Sequence, residues 1–147
     1  MKDAPFHVSE GDWESSITKS DYEALAEFRY ELRKFLHFSE EAAQSHGLTP
    51  QQHQAMLAIK GFPGRDWVSI RELAERLQIK HHSAVGLIDR LVENEWICRQ
   101  PSVEDRRCVI VTLTPRGTEL LERLSIAHKN ELIQMSPVLR QLLKALK

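Results

Sequence analysis

Lys80, His81, His82, Ser83, Gly86 and Arg90 combine hydrogen-bond donors, small groups and positive charge within one helical stretch. Further on, Asp105-Arg106-Arg107 occupies a short polar segment between two β-rich runs. Donors and small groups on one helix face suit the edges of base pairs, and arginines on a protruding tip suit the minor groove and phosphate. The chemistry on offer is recognition of a polyanion. No Gly-rich phosphate loop, serine elbow or Cys/His nucleophile arrangement stands out, so no enzyme is expected. His37, His46, His53 and His128 lack the i,i+4 spacing of paired ligands, and adjacent His81 and His82 cannot easily face one ion from a helix. No metal or other cofactor is expected.

Two elements must hold those side chains. Ser69 with Glu72 three residues on forms a capping box, and Ile70, Leu73, Ala74 and Leu77 follow helical spacing behind it. A Gln78-Ile79-Lys80 turn leads into a second helix over about 81–93, whose Val85, Ile88, Leu91 and Val92 mark one apolar stripe. Its opposite face is left for a partner. Residues 96–100 and 108–113 read as strands of a hairpin, and helix-turn-helix plus hairpin makes a winged helix. Ser69, Lys80, His81, His82, Ser83, Gly86, Arg90, Asp105, Arg106 and Arg107 are therefore the expected DNA-binding set, with Asp105 holding the Arg107 guanidinium in a bidentate fork. Cys98 and Cys108 fall on the two hairpin strands as small packing residues; a redox pair would require them to lie opposite each other.

Asp105-Arg106-Arg107 through Leu113-Thr114-Pro115-Arg116-Gly117 resembles the D-x-R … L-T-x-x-G signature of the MarR (multiple antibiotic resistance regulator) family of bacterial transcription factors. Gly47-Leu48-Thr49 followed by Gln52, Leu73-Ala74-Glu75-Arg76-Leu77, and Leu87-Ile88-Asp89-Arg90-Leu91 match in the same register. The resemblance implies a homodimer with intertwined terminal helices that binds double-stranded DNA, and a small aromatic or phenolic effector held between those helices and the DNA-binding lobe. Candidate effector contacts are Phe28, Arg29, Arg33, His37 and His53, with Tyr30 nearby. The chain departs from the family where a Ser often caps the recognition helix, a Pro often follows, and an Arg often stands at the position of Gly86.

The remaining segments fit that scheme. Residues 1–19 mix Pro, Gly, Ser and acids with isolated Phe6 and Trp13 and read as an irregular arm. Ser20 with Glu23 opens a long helix to about Gly47, carrying Leu25, Phe28, Leu32, Phe35 and Leu36, more apolar surface than a small winged helix needs for itself. Thr49 caps a second helix, with Pro50 first in it, that ends at Gly61-Phe62-Pro63-Gly64. Thr114-Pro115 starts another running to about Met135, and Ser136-Pro137 starts a short apolar last helix with Leu139, Leu142, Leu143 and Leu146. The expected class is mainly α: a winged helix-turn-helix lobe over 48–114 with a small β-hairpin wing, and dimerisation helices over 20–47 and 115–147.

At 147 residues and 41% hydrophobic content, one packed domain is affordable. A net charge of -1 excludes a protein that coats nucleic acid by bulk attraction. Distribution matters more: residues 1–50 carry five Lys/Arg against ten Asp/Glu, and residues 60–116 carry ten against eight. Arg65, Arg71, Lys80, Arg90, Arg99, Arg106 and Arg107 supply local positive charge for phosphates. The chain has no apolar run of membrane-spanning length and no signal-like start, so a cytoplasmic protein without a membrane partner is expected. The expected function is sequence-specific transcription regulation, a ligand-released repressor on a pseudo-palindromic site. The alternatives are a winged-helix protein-interaction module, or a metal- or redox-responsive regulator.

Overall fold

The structure, a computed structural model, describes residues 16–146. The arm expected over 1–19, with Phe6 and Trp13, lies outside the described residues as far as residue 15. Helix α1 spans Lys19–Ser45. Its cap is Thr18 paired with Asp21, not Ser20 with Glu23: the Asp21 N–H donates to the Thr18 hydroxyl at 3.2 Å, and the Asp21 carboxylate accepts from the Thr18 N–H at 3.0 Å. Both pairs have the capping spacing, and the earlier one lets two further residues join the helix. Helix α2 (Pro50–Lys60) starts on the Thr49–Gln52 box with Pro50 first, and stops at Gly61.

A strand the sequence reading missed follows, β1 (Trp67–Ser69). Three residues are too few to display alternation, and pairing with a distant strand fixes it. Ser69 then caps α3 (Ile70–Leu77), which ends on Gln78 in the left-handed conformation, φ 54°. Helix α4 spans His81–Glu93, and strands β2 (Ile97–Pro101) and β3 (Val109–Leu113) form the hairpin. The sheet is three-stranded and antiparallel in the order β1-β3-β2, with Val68 opposite Val111 and Arg99 opposite Val111 on the other side.

The core gathers Met56 and Ile59 from α2, Val68 from β1, Leu73 from α3, Leu87, Ile88 and Leu91 from α4, Ile97 from β2 and Val111 from β3. On α4 the fully buried positions are Ala84, Leu87, Ile88 and Leu91, so the apolar stripe is rotated from the expected Val85, Ile88, Leu91, Val92 set; Val85 is only half-buried. The core extends into the last helix through Leu120, Leu121 and Leu124.

Helix α5 is one continuous rod, Pro115–Ala145, with Pro137 inside it. The break expected at Ser136-Pro137 does not occur. An interior proline costs about 3 kcal/mol by removing a backbone hydrogen bond. Packing offsets that cost: α5 runs antiparallel to α1, and beyond Pro137 its Leu139, Leu142 and Leu143 meet Ala24, Leu25 and Phe28 around a groove. The apolar tail is thus partly covered by its own chain. Even so, Leu143 is 70% exposed and Phe28 45%.

Candidate nucleic-acid interface

The side chains of Lys80, His81, His82, Ser83 and Arg90 are all exposed along the outer face of α4, and Gly86 lies between them half-buried. Lys80 stands at the N-cap of α4 and makes no side-chain cap. The first amides of this helix are therefore open to an external acceptor, and the helix dipole favours an anion there. The fold's own packing does not require glycine at 86: an added Cβ would meet nothing nearer than the Arg90 guanidinium at 3.8 Å.

Ser69 forms the expected capping box at the start of α3. Its hydroxyl accepts the Glu72 N–H at 3.1 Å, and the Glu72 carboxylate accepts the Ser69 N–H at 3.0 Å and pairs with Arg65. Burial works to raise the Glu72 pKa, but the Ser69 hydrogen bonds and the Arg65 charge outweigh it and leave it lowered. Arg65 also lies over the Phe62 ring at 4.3 Å and the Trp67 ring at 3.9 Å. A guanidinium so engaged is structural rather than a phosphate clamp. Arg99 is likewise paired, with Asp89 of α4, so it ties the hairpin to the recognition helix.

At the hairpin tip Arg106 and Arg107 are exposed, and neither side chain pairs with an acid among the described residues. The expected fork from Asp105 to the Arg107 guanidinium is absent. The Asp105 carboxylate instead accepts the Arg107 backbone N–H at 3.0 Å, and its carbonyl accepts the Cys108 N–H at 2.9 Å. A short acidic side chain reaches the amide two residues on more readily than a side-chain tip, which makes this an Asx turn. Asp105 shapes the wing and leaves both arginines free to reach outward.

The redox alternative loses its geometry. Cys98 pairs with Thr112, whereas the Cys108 carbonyl accepts from Ser102, four residues along and so about 13 Å away on the ladder. The Asp105 charge beside Cys108, with some burial, also raises that thiol's pKa. Among the described residues no group of three or more metal-ligating side chains converges, and no helix is long and apolar enough to cross a membrane.

A cavity of about 670 Å³ lies between α1, α2 and α5. Of the five expected effector residues only His53 lines it. Phe28 borders the separate groove against Leu139 and Leu142, while Arg29, Arg33 and His37 are exposed on α1, with His37 facing Glu41 at 3.0 Å. The apolar i,i+3/i+4 pattern of α1 could not say which flank faces α5. Phe35, Ser39 and His128 line the cavity instead and were missed, His128 because nothing local marks it. The His128 Nδ1 lies 2.6 Å from the Leu124 carbonyl and its Nε2 2.8 Å from the Ser39 hydroxyl. The His53 ring packs on His128 at 4.8 Å between centroids, and its Nδ1 is buried with no partner.

His53 is 3% exposed, and burial, reinforced by the His128 charge, pushes its pKa from 6.5 down to about 4. The unfolded chain therefore takes up this proton first as pH falls. Stability from this group is complete above pH 6.5 and declines toward pH 4, by up to about 3 kcal/mol at about 1.4 kcal/mol per unit. Urea midpoints at pH 7 and pH 4.5 for wild type and His53→Gln test this: the variant should lose less stability on acidification, and equal losses would refute the assignment.

An uncovered face on the second helix of a helix-turn-helix, flanked by an arginine-tipped hairpin, defines the winged-helix class of domain. Comparison with known proteins agrees. The model of the MarR family matches residues 46–107. The repressor MdtR of Bacillus subtilis is 27% identical over 89 residues, covering 60% of this chain and 56% of that protein. The transcriptional activatory protein BadR of Rhodopseudomonas palustris is 29% identical over 97 residues, covering 65% and 55%. These matches span little more than half the length of either relative. A mutant of MepR from Staphylococcus aureus, solved bound to an oligodeoxyribonucleotide, shares the fold with a TM-score of 0.65 at 19% identity, covering 90% of this chain and all of that one. Over residues 46–107 the chain is thus similar to the MarR family, within a fold shared with solved winged helix-turn-helix proteins.

Proposed function

We infer that this protein is a sequence-specific DNA-binding transcription regulator of the cytoplasm, a homodimeric repressor released by a small molecule. The observation that carries this reading is the α4 face: His81, His82, Ser83 and Gly86 uncovered, open amides at its start, and free Arg106 and Arg107 beside it. His81, His82 and Ser83 read base edges in the major groove, Lys80 and the helix start hold phosphate, and the wing arginines enter the adjacent minor groove.

The dimer rests on the terminal helices, residues 20–47 and 115–147. Tyr22, Leu25, Phe28, Leu132, Ile133 and Leu143 remain exposed on α1 and α5 of a single chain. That is more apolar surface than two helices leave in water without a partner. A second copy buries it and sets two recognition helices about one turn of DNA apart, roughly 34–36 Å.

The cavity between α1, α2 and α5 holds the effector, a small aromatic or phenolic compound. Helix α2 joins it to the reading lobe: His53 faces the cavity and Met56 and Ile59 enter the core beside α3 and α4. A ligand that binds better when α2 is displaced favours dimers with misplaced recognition helices and so lowers DNA affinity. Selection from a random duplex library tests the whole reading. The expected product is a pseudo-palindrome with half-sites about 10 base pairs apart; enrichment of no sequence would overturn it.

A further inference from the structure

The Arg90 side chain folds back over its own helix. A Cβ built at Gly86 would meet nothing nearer than the Arg90 Nη2, at 3.8 Å, so the guanidinium lies over the glycine, about one turn closer to the helix start than the residue that carries it. Helical side chains lean toward the N-terminus, which gives Arg90 that direction, and the bare backbone at 86 leaves the room. His82, Ser83, Gly86 and Arg90 follow one another at steps of one, three and four, so all four share one face of α4. Arg90 is exposed there and pairs with no acid among the described residues. The adjacent Asp89 is held by Arg99 of the hairpin. The five donors of the Arg90 guanidinium are thus uncommitted and sit on the part of the helix occupied by His82 and Ser83.

We propose that Gly86 is a positioning residue that lays the Arg90 guanidinium beside His82 and Ser83, where it reads one guanine of each half-site in the major groove. This deepens the DNA-binding reading and rests on it. The N-terminal residues of a recognition helix are the ones that meet base edges. Arg90 is too far along α4 to belong to that set by position, and the Gly86 notch brings its donors into it. The planar fork of a guanidinium matches the O6 and N7 acceptors of guanine, the commonest specific contact in that groove. A side chain longer than alanine at 86 would occupy the space the fork now fills and turn it away from the bases.

The test takes a duplex that the wild type selects from a random library, changes each half-site position singly, and measures affinity by fluorescence anisotropy for wild type, Arg90→Ala and Gly86→Leu. The wild type should prefer guanine at one position of each half-site by at least about fivefold. Arg90→Ala should erase that preference and leave the others, with the salt slope nearly unchanged, because a base edge releases no counterions. Gly86→Leu should erase the same preference while the protein stays folded, since leucine favours a helix more than glycine does and the position faces outward. Arg90→Ala weakening every duplex alike, with the slope lowered by about 1, would make Arg90 a phosphate contact and overturn the proposal. A guanine preference that Gly86→Leu leaves intact would overturn it as well. An enriched site indifferent to both variants defeats this proposal alone, whereas a wild type that enriches no sequence brings down the regulator reading and the proposal together.

Discussion

Gly117→Ala is expected to destabilise the protein by about 3 kcal/mol or more, a fall in Tm of about 10 °C for a chain of this size. An alanine Cβ at this position would drive into the Trp96 carbonyl oxygen and stand 2.9 Å from its carbon and 3.3 Å from the Trp96 Cα. All three are backbone atoms, and they are pinned. The Trp96 N–H donates to the Leu91 carbonyl at 3.0 Å, and the Trp96 carbonyl accepts the Thr114 N–H at 3.0 Å. The Thr114 hydroxyl accepts the Gly117 N–H at 3.0 Å and donates to the Glu95 carbonyl at 2.7 Å. The start of α5 is thereby locked to the end of α4, and no side chain can swing away to make room. Gly86→Ala is the control, since a Cβ there meets only ordinary contact, and it should be neutral or gain about 1 kcal/mol. Equal thermal midpoints for Gly117→Ala and wild type would show that the close approach is not a constraint.

Arg107→Ala is expected to weaken binding to a selected duplex about tenfold at moderate salt and to lower the slope of log K against log salt by about 1. The Asx turn at Asp105 aims the backbone there, and no acid among the described residues holds the guanidinium back, so its charge is free to displace counterions. Arg65→Ala provides the contrast. Its charge is already matched by Glu72, so it should change stability without changing the salt slope. Fluorescence anisotropy over a salt series separates these cases. An unchanged slope for Arg107→Ala would remove the wing from the interface.

The helix-turn-helix was readable because its signals are local. Ser69 with Glu72, Thr49 with Pro50, and the helical spacing of Ile88 and Leu91 each act within one turn and survive in the fold, although the stripe around the last two is rotated from Val85 and Val92 toward Ala84 and Leu87. What escaped the sequence depends on partners far along the chain. Strand β1 exists because Val68 finds Val111, and α5 runs through Pro137 because α1 lies alongside. The cap of α1 was misplaced by two residues because two capping boxes overlap there. The cavity was the least legible part. His53 was visible from its place after Gln52, but Ser39 and His128 are 89 residues apart and only the antiparallel packing of α1 on α5 brings them within 2.8 Å. Asp105 was assigned to a side-chain partner when a nearer amide was available, a competition that turn chemistry decides.

The Asp89–Arg99 pair, with Trp96 and Thr114 hydrogen-bonded behind it, makes one stiff bracket of the α4 helix and its hairpin. Neither arm of such a bracket can adjust its footprint alone. In the proposed dimer, the offset between the stretch read from one groove and the stretch read from the next within each half-site would therefore be set in the protein, leaving the separation of the two halves for the proposed effector to alter.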